Sequence, residues 1–476
     1  MNDLCDTLSE ENKNDKIALL YESNRKNLVA VKTSVGMTER VNIPQIVQQG
    51  GTWGPVLCSN TVDTIGKKCR DRGELHYLYK NTVRVLPLAM VDDLNCISNC
   101  GLESIELNTF INTQIELKKL RFHVPDAKGK SKCHKLHIGK NKETCPILKV
   151  HGTVMESVEE DTYLGDIISS DGRNTKNIAD RISKGIGKIS QIEQFLEIVS
   201  LGEHFIDIAL LFRESMFVNG ILTNAEIWYS FSESEVREFE SLDRVLLRKI
   251  LQVPVSTPEE AYYLELGILP IGVIVKARRI NFLHYLVTRD ENEMLSKFFL
   301  TQWHQPCRGD WTETVKLNLE EFGITTNFDF MRSKSSESFK SLVKVKAQEY
   351  ALKELIKSQE THSKMENLHY GSMKPQTYMK SMRIDQARNI FRYRTNMARF
   401  GENYRGKEDF IMCPLCSKHF DSQELSFQCE FFKGKMNINC NMSDVTSENV
   451  SQETAKVITD MMRLREKFLE EKSCDT

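Results

Sequence analysis

The 476-residue sequence has no apolar run long enough to cross a membrane and no secretory signal near its start. Its net charge is only −2, so no chain-wide positive field points to nucleic acid. The 13 cysteines are scattered and mostly single, which argues against a disulfide framework and favours a reducing, intracellular compartment. Convincing repeats and long low-complexity tracts are also missing. The composition, 40% apolar and 27% charged, is typical of a globular protein with two to four domains.

Two adjacent aspartates, Asp92 and Asp93, interrupt an apolar run that extends from Leu86 to Ile97. Because an unpaired carboxylate is costly to bury, we expect the pair at the tip of a hairpin whose strands cover Val83–Met90 and Leu94–Ile97. A plain turn is the simplest interpretation of two aspartates taken alone. The alternative is a metal site, since carboxylates on a hairpin can hold divalent ions beside phosphates. The surrounding segments must decide between the two.

A glycine-rich loop precedes this hairpin, with Gly50 and Gly51 directly after Gln49. Such a loop lets a backbone or a nucleotide approach closely, although a tight turn explains it equally simply. After the hairpin, residues 118–149 carry ten Lys or Arg against two acidic residues. Within them, residues 132–139 alternate like a strand. A basic strand of this kind suits a phosphate chain, and a solvated basic face is the alternative.

The second half of the sequence is dominated by helical periodicity. A strand-like unit over Tyr163–Ile168 comes first, with a tight hairpin turn expected at Asp171-Gly172. The helices are expected over Ile178–Ile198, Glu203–Ser230, Glu233–Leu251, Thr257–Leu266 and Val273–Val287, and over most of residues 312–399. Loops or linkers are expected over residues 333–338 and 361–375. An amphipathic helix with Val457, Ile458, Met461, Met462, Leu464, Phe468 and Leu469 on its apolar side closes the chain.

A cysteine cluster precedes that last helix. Cys413 and Cys416 form a CxxC motif, and His419, Cys429 and Cys440 follow it. Thiolate and imidazole donors at such spacing are typical of a structural zinc site, which needs four ligands. The spacing leaves the fourth ligand open between His419 and Cys440, and a decayed site that binds no metal is the alternative.

The order of these pieces resembles the palm and thumb of a reverse transcriptase from a LINE-type retrotransposon, one without long terminal repeats. The resemblance is strongest from Asp15 to Leu266 and returns at residues 387–394 and at the CxxC motif. It implies that Gln49, Gly50 and Gly51 shape the nucleotide and template pocket. It also implies that Asp92 and Asp93 are catalytic Mg²⁺ ligands, with Asp92 the more direct one, and that Tyr163, Leu164 and Gly165 grip the primer end.

The resemblance implies an α+β fold and RNA-directed DNA polymerase activity. The implied cofactors are Mg²⁺ and possible Zn²⁺, and the implied partners are an RNA template and a DNA primer or target, with no membrane partner. The resemblance also implies access to the nucleus. The implied organisation is a partial palm over 1–166, thumb helices over 167–260, a helical linker over 261–400, a cysteine-rich zinc-knuckle-like module over 401–440 and a terminal helix over 441–476. The knuckle would bind nucleic acid, helped by Arg383, Arg388, Arg392, Arg394, Arg399 and Arg405, with Phe391 and Tyr393 available to stack on bases.

The sequence departs from the family pattern at two places. The family's third catalytic aspartate lies in an apolar strand ahead of the glycine loop, and no acidic residue before Gln49 has that setting. We therefore expect this chain to start just after its own first catalytic motif and to show negligible primer extension alone; robust extension that Asp92→Ala abolishes would contradict this. At the knuckle, Leu425 stands where the family has a histidine ligand.

Other clusters have simpler explanations. Cys133, His134, His137 and Cys145 have metal-like residue types, but we expect them to be structural. Trp228 and Tyr229 are expected in the core of the thumb. Two alternatives to a polymerase remain open: a non-catalytic nucleic-acid-binding protein derived from such an enzyme, and a reading frame that yields no stable protein.

Overall fold

The computed structural model describes residues 28–30, 32–33, 36–42, 63–72, 76–90, 93–117, 134–138, 146–199, 204–228, 232–366, 368–404 and 412–474. Within them the fold is mixed α/β, with short strands before residue 170 and helices predominating after it. The predicted helix over residues 1–27, the loop with Gln49, Gly50 and Gly51, and Asp92 lie outside the described residues. So do Cys133, Cys145, Tyr229 and Arg405.

The strands are short and associate in pairs. They are β1 (Leu28–Val29), β2 (Lys32–Thr33), β3 (Gly36–Met37), β4 (Val41–Asn42), β5 (Tyr77–Tyr79), β6 (Val83–Val85), β7 (Leu88–Met90), β8 (Asp93–Asn95), β9 (His134–Leu136), β10 (Lys149–Val150), β11 (Thr153–Val154), β12 (Glu156–Val158), β13 (Glu160–Tyr163) and β14 (Asp166–Ser169). β1 pairs with β4, β2 with β3, β5 with β6, β7 with β8, β10 with β11 and β13 with β14. β9 and β12 form a parallel pair.

The helices begin with α1 (residues 63–70) and α2 (Gly101–Leu117). They continue as α3 (Thr175–Val199), α4 (Phe205–Phe212), α5 (Glu233–Leu251), α6 (Glu259–Leu266), α7 (Ile271–Val287), α8 (Met294–His304), α9 (Trp311–Glu321), α10 (Phe328–Arg332), α11 (Ser336–Gln359), α12 (Thr377–Ser381), α13 (Ile384–Arg394), α14 (Gln423–Ser426), α15 (Glu430–Lys433), α16 (Met442–Thr446) and α17 (Gln452–Cys474). None of the described helices is both long and apolar enough to span a membrane.

The chain divides into two compact units. The first contains residues 1–161, 168–172 and 291–305, and the second contains 162–167, 173–290 and 306–476. The second unit therefore includes most of the predicted thumb and linker, and all of the predicted cysteine-rich and terminal segments, whereas residues 168–172 and 291–305 belong to the first unit. The five-part division expected from the sequence stays a prediction.

In the first unit, α1 and α2 bury a small apolar cluster. Ile65 and Cys69 of α1 pack with Leu107, Ile111 and Ile115 of α2. The three α2 residues recur at four-residue spacing, which places them on one face of the helix.

The predicted hairpin around the two aspartates is confirmed at the backbone level. β7 and β8 are antiparallel, with Leu88 opposite Asn95 and Met90 opposite Asp93. Only residues 91 and 92 separate the paired strands. The longer strand expected over Val83–Met90 is wrong, because β6 ends at Val85 and pairs separately with β5. Pro87, which has no N–H to donate to a strand ladder, follows that break.

A late helix belongs to this same unit. Leu86 N–H contacts the Met294 sulfur of α8 at 3.3 Å, and the rings of Tyr79 and Phe298 lie 4.2 Å apart between centroids. α8 therefore packs on the β5–β6 hairpin, about 200 residues away in sequence. Nothing in the periodicity of either segment predicts this contact.

The helices of the second unit follow the sequence closely, with two corrections. The helix expected to continue to Ser230 ends at Ile221, after a six-residue π-helical segment over Arg213–Val218. Asn224, which follows, adopts a left-handed φ of 61° that a helix cannot contain. The loop expected over residues 333–338 is shorter, because Ser335 caps α11 and the helix starts at Ser336. The segment over 361–375 is mostly irregular, as expected.

Buried ion pairs tie the helices of this unit together. Arg213 donates from Nε and Nη2 to the two carboxylate oxygens of Asp243 at 2.7 and 2.6 Å. Arg394 donates from Nε to Glu265 at 2.8 Å, and both side chains are essentially inaccessible. Burial alone would lower the pKa of Arg394, but Glu265, through its charge and hydrogen bond, together with Tyr378 and Tyr370 outweighs burial and raises it. Removing one partner of such a pair leaves the other charge buried and unpaired, which lowers the free energy of unfolding by roughly 3–5 kcal/mol.

Gly267 ends α6 at a point of close approach. Its φ is +61°, and a Cβ there would lie 2.2 Å from the backbone of Lys374 and Pro375. Only glycine satisfies both the left-handed conformation and this approach. Gly323 has nearly the same φ, +62°, but a Cβ at that position would have no neighbouring atom within 4 Å. The two glycines therefore separate the effect of backbone conformation from the effect of packing.

We predict that Gly267→Ala lowers the free energy of unfolding by well over 3 kcal/mol, because the chain around Lys374 must move as well as the helix end. Gly323→Ala should cost only about 1 kcal/mol, which is the penalty of the left-handed conformation alone. Urea denaturation of both variants measures the difference. Equal losses in the two variants would contradict the close packing at Gly267.

Candidate metal centre

Three cysteines and one histidine converge near the C-terminal end of the second unit. The ligand atoms of Cys413, Cys416, His419 and Cys429 all lie within 4.8 Å of one another. Cys413 and Cys429 are buried, whereas Cys416 and His419 are partly exposed. Among the described residues this is the group whose geometry fits a bound metal ion.

A tight turn brings the first three of these residues together. Met412 and Phe420 form an antiparallel bridge, and Cys413 N–H donates to the His419 carbonyl at 2.8 Å. Ser417 N–H donates back to the Cys413 carbonyl at 2.8 Å, with Ser417 at a left-handed φ of 56°. The chain thus reverses directly after the CxxC motif. That reversal places His419 beside the thiols.

The histidine is oriented for metal binding. Its Nδ1 lies 2.9 Å from the Phe420 carbonyl oxygen, which can only accept, so Nδ1 carries the proton. Nε2 then keeps its lone pair and lies 3.4 Å from the Cys416 sulfur. A second hydrogen bond of this kind is the usual way in which proteins fix a metal-binding imidazole.

The distances agree with a tetrahedral zinc site. Zinc–sulfur bonds of about 2.3 Å at tetrahedral angles place two sulfurs roughly 3.8 Å apart. The sulfurs of Cys413 and Cys429 are 3.9 Å apart. Three thiols and one imidazole are also a common donor set for structural zinc. The predicted Zn²⁺ is therefore consistent with the donors present.

Without metal, the thiols differ in acidity. Burial raises the pKa of Cys429 to about 12 and also raises the pKa of Cys413. At Cys416 burial acts in the same direction, but hydrogen bonds from the Lys418 backbone and from neighbouring groups outweigh it and lower the pKa. Metal binding must therefore displace protons from Cys413 and Cys429, so zinc affinity should rise with pH.

The metal centre is built into the helical unit by buried polar contacts. Asp421, next to the turn, accepts two hydrogen bonds from Arg465 of α17 at 2.8 and 2.6 Å. Gln423 donates to the carbonyl of Tyr393 in α13 at 2.8 Å and accepts from Ala398 N–H at 3.2 Å. These contacts fix the middle of the segment that carries the ligands. The cysteine-rich segment is thus continuous with α13 and α17.

The question of the fourth ligand is resolved in favour of His419. Cys440, the other candidate, is not part of the converging group among the described residues. Leu425, at the position of the family's histidine, lies in the short helix α14, where its N–H donates to the Ser422 hydroxyl. Sequence spacing left the choice between His419 and Cys440 open, because spacing does not reveal the tight turn at Ser417.

The prediction that Phe391 and Tyr393 stack on bases is wrong. Phe391 and Tyr393 are completely buried in α13, and Tyr393 packs against Phe400 and Phe427. Their rings have no accessible face on which a base could stack. The apolar face of α13 was misread as an exposed aromatic platform.

Most of the predicted nucleic-acid-binding arginines have internal partners. Arg394 is buried against Glu265. Arg388 donates twice to the Ile250 carbonyl, and Arg392 donates to the Gln252 carbonyl at 2.7 Å. They satisfy the carbonyls at the end of α5, where helix backbone acceptors lack partners. Arg383 is paired with nearby Asp385, and Arg399 is exposed.

The predicted polymerase residues are placed only in part. Asp93 begins β8, and the other residues of the expected hairpin tip lie outside the described residues. Tyr163 ends β13, and Leu164 and Gly165 form the two-residue turn to β14, each with positive φ. The expected hairpin turn at Asp171-Gly172 is wrong: that turn follows β14 and leads towards α3. Trp228 is buried, as the sequence predicts, and His137 is exposed.

One residue that the sequence reasoning missed is Asp166. Its carboxylate accepts hydrogen bonds from Asn177, Arg181, Asn224 and Trp228. The sequence position of Asp166 could have identified it, because this carboxylate follows the Leu164-Gly165 turn directly and begins an apolar strand. Such a position requires partners, because an unpaired carboxylate there would be destabilising.

We predict that the purified chain contains about one zinc ion, and that Cys429→Ser removes most of it because the tetrahedral set is broken. Elemental analysis after dialysis measures the zinc content. Cys440→Ser is the matched control, since that cysteine lies outside the group, and it should retain zinc. Wild-type protein without zinc, or loss of zinc in Cys440→Ser, would contradict the assignment.

Comparisons with known proteins add no identification. No protein-family model matches the chain, and no curated protein is significantly similar to it. The resemblance to LINE-type reverse transcriptases stays a prediction from the sequence.

Proposed function

We propose that this chain is the palm-and-thumb portion of an RNA-directed DNA polymerase of the LINE type, with a structural zinc centre near its C-terminus. The observation that supports this best is the register of the β7–β8 hairpin. Met90 pairs with Asp93, so the second strand of the hairpin begins at the second aspartate of the pair.

The proposed chemistry requires metal-bound carboxylates at that hairpin. A primer hydroxyl attacks the α-phosphate of a nucleotide in line, and two Mg²⁺ ions stabilise the attacking and leaving oxygens. Asp92 and Asp93 would supply ligands from one side. A third carboxylate is needed on the other side, and no acidic residue ahead of Gln49 resembles it. We therefore propose that this chain binds Mg²⁺ and nucleic acid but does not extend a primer alone.

The zinc centre has a structural role in this proposal. Two of its four ligands are buried, and its flanking residues are hydrogen-bonded to α13 and α17. A site embedded in this way stabilises the fold of the surrounding helices. A nucleic-acid contact by the metal centre would have to use its exposed edge, because the predicted stacking residues Phe391 and Tyr393 are buried.

The second candidate function is nucleic-acid binding without catalysis. This candidate does not require a counterpart of the third aspartate, which no acidic residue ahead of Gln49 in the given sequence resembles. Both candidates require the chain to bind a primer–template duplex. They differ at Asp92 and Asp93, which only the polymerase proposal requires to bind a divalent ion.

Iron-dependent cleavage of the polypeptide tests the Mg²⁺ site directly. Fe²⁺ with ascorbate produces radicals that cut the backbone beside the ion, so we predict cuts near residues 90–95 of the zinc-loaded chain. Excess Mg²⁺ should suppress these cuts, because both ions prefer oxygen ligands at such a site. Peptide mapping by mass spectrometry locates the cuts.

The combined variant Asp92→Asn with Asp93→Asn should lose the cuts near residues 90–95. Asp71→Asn, at an exposed position of the same unit, is the matched control and should keep them. Absence of these cuts in the unmodified chain would contradict the polymerase proposal. If the chain still binds a primer–template duplex in that case, the non-catalytic binding function is the one supported.

A further inference from the structure

The hairpin turn at Leu164 and Gly165 has an unfavourable backbone conformation that side chains of later segments stabilise. Both residues have positive φ, 49° and 87°, as a two-residue hairpin of this kind requires. Glycine adopts this conformation freely, but for leucine it costs roughly 1–2 kcal/mol. The Leu164 side chain is nevertheless 48% exposed, so no burial of the side chain compensates for the conformation.

The backbone of this turn is fixed by side chains of the following helical segments. Arg181 of α3 donates from Nη2 to the Gly165 carbonyl at 2.7 Å. Asn224 donates from Nδ2 to the Leu164 carbonyl at 3.3 Å. Both carbonyl oxygens of the turn are therefore occupied. The apolar side chain of Leu164 is left as the part of the turn that faces solvent.

Asp166 connects the two residues that hold the turn. Its Oδ1 accepts from Arg181 at 2.9 Å, and its Oδ2 accepts from Asn224 at 2.6 Å. Asn177 also donates to Oδ1 at 3.0 Å, and its own side-chain oxygen accepts from Ile167 N–H at 3.1 Å. Trp228 completes the set at 3.4 Å. One carboxylate thus orients the donors for both turn carbonyls.

The donors are themselves held in place. Asn224 lies in the turn after the π-helical segment, and Arg278 donates to the Leu222 carbonyl of that turn at 2.7 Å. Arg279 is buried and donates to the Trp228 carbonyl at 2.9 Å. Trp311 donates to the Glu226 carbonyl at 2.7 Å. The segment that reaches the hairpin is therefore rigid, as a positioning device requires.

We propose that Asp166 is a positioning residue that presents Leu164 to the 3′-terminal nucleotide of a primer. The proposal rests on the proposed function and adds a residue to it: Asp166 does not touch the primer but fixes the turn that does. Leu164 is exposed, has an unfavourable backbone conformation and lies on a turn whose two carbonyls are hydrogen-bonded. Such a side chain is suited to an apolar contact with a sugar or base. The expected ligand is the paired end of a DNA primer on an RNA template.

Photo-crosslinking from the primer terminus tests this. A primer ending in 4-thiothymidine, annealed to RNA, should crosslink the zinc-loaded chain within the peptide that contains Leu164. Asp166→Ala should lower this crosslink about ten-fold, because a displaced turn loses the contact geometry. The total affinity for the duplex, measured by fluorescence anisotropy, should change much less, since a single turn supplies few of the contacts. Asp161→Asn is the matched control and should crosslink like the wild type.

Two further variants keep the test decisive if Asp166→Ala does not fold. Asn224→Ala removes one donor and should lower the crosslink about three-fold, in the range of one lost hydrogen bond. Asp166→Asn should lower it too, because the amide nitrogen that replaces one carboxylate oxygen cannot accept a hydrogen bond from Arg181 or Asn224. A purely structural role would lower the total affinity for the duplex together with the crosslink.

The outcomes separate the two proposals. A chain that binds no duplex contradicts the proposed function, and the positioning role falls with it. A chain that binds duplex but crosslinks elsewhere, or one whose Leu164 crosslink is unchanged in Asp166→Ala and Asn224→Ala, overturns the positioning role and leaves the proposed function standing.

Discussion

The helical unit depends on one buried carboxylate, that of Glu265 in α6. Tyr370 and Tyr378 donate their hydroxyl protons to it at 2.6 and 2.7 Å, and Arg394 of α13 pairs with it. The same arginine donates to the carbonyls of Val445 and Ser447 at 2.9 and 2.8 Å. Segments separated by up to about 180 residues therefore meet at one ion pair. The arrangement is favourable only when complete, because a half-satisfied buried network is worse than an apolar core.

The metal centre extends from this network. α13 contributes Arg394 to Glu265 and the Tyr393 carbonyl to Gln423, which is two residues after Asp421. Asp421 pairs with Arg465 of α17, so the ligand-bearing segment is joined to both of these C-terminal helices. The arginines and aromatic residues of α13 that suggested nucleic-acid binding serve this packing.

Local signals predicted much of this fold, and they failed where distant segments meet. Periodicity and proline positions located α5, α6 and α7 closely, because Pro258 and Pro270 directly precede two of these helices. The β7–β8 hairpin followed from two aspartates between apolar runs. The contact of α8 with β5–β6 and the burial of Arg394 were not predictable, since each depends on a partner more than 100 residues away. The choice of His419 over Cys440 was not predictable, because backbone hydrogen bonds, and not spacing, bring His419 to the thiols.

The central claim is that the metal centre is part of the core of the helical unit. Hydrogen–deuterium exchange of the zinc-loaded and chelator-treated chain tests it most directly. The account predicts that zinc removal accelerates exchange in α13 and α17 as well as in the ligand segment, because the buried contacts of Gln423 and Asp421 are lost together. Faster exchange confined to residues 412–433, with α13 and α17 unchanged, would contradict it.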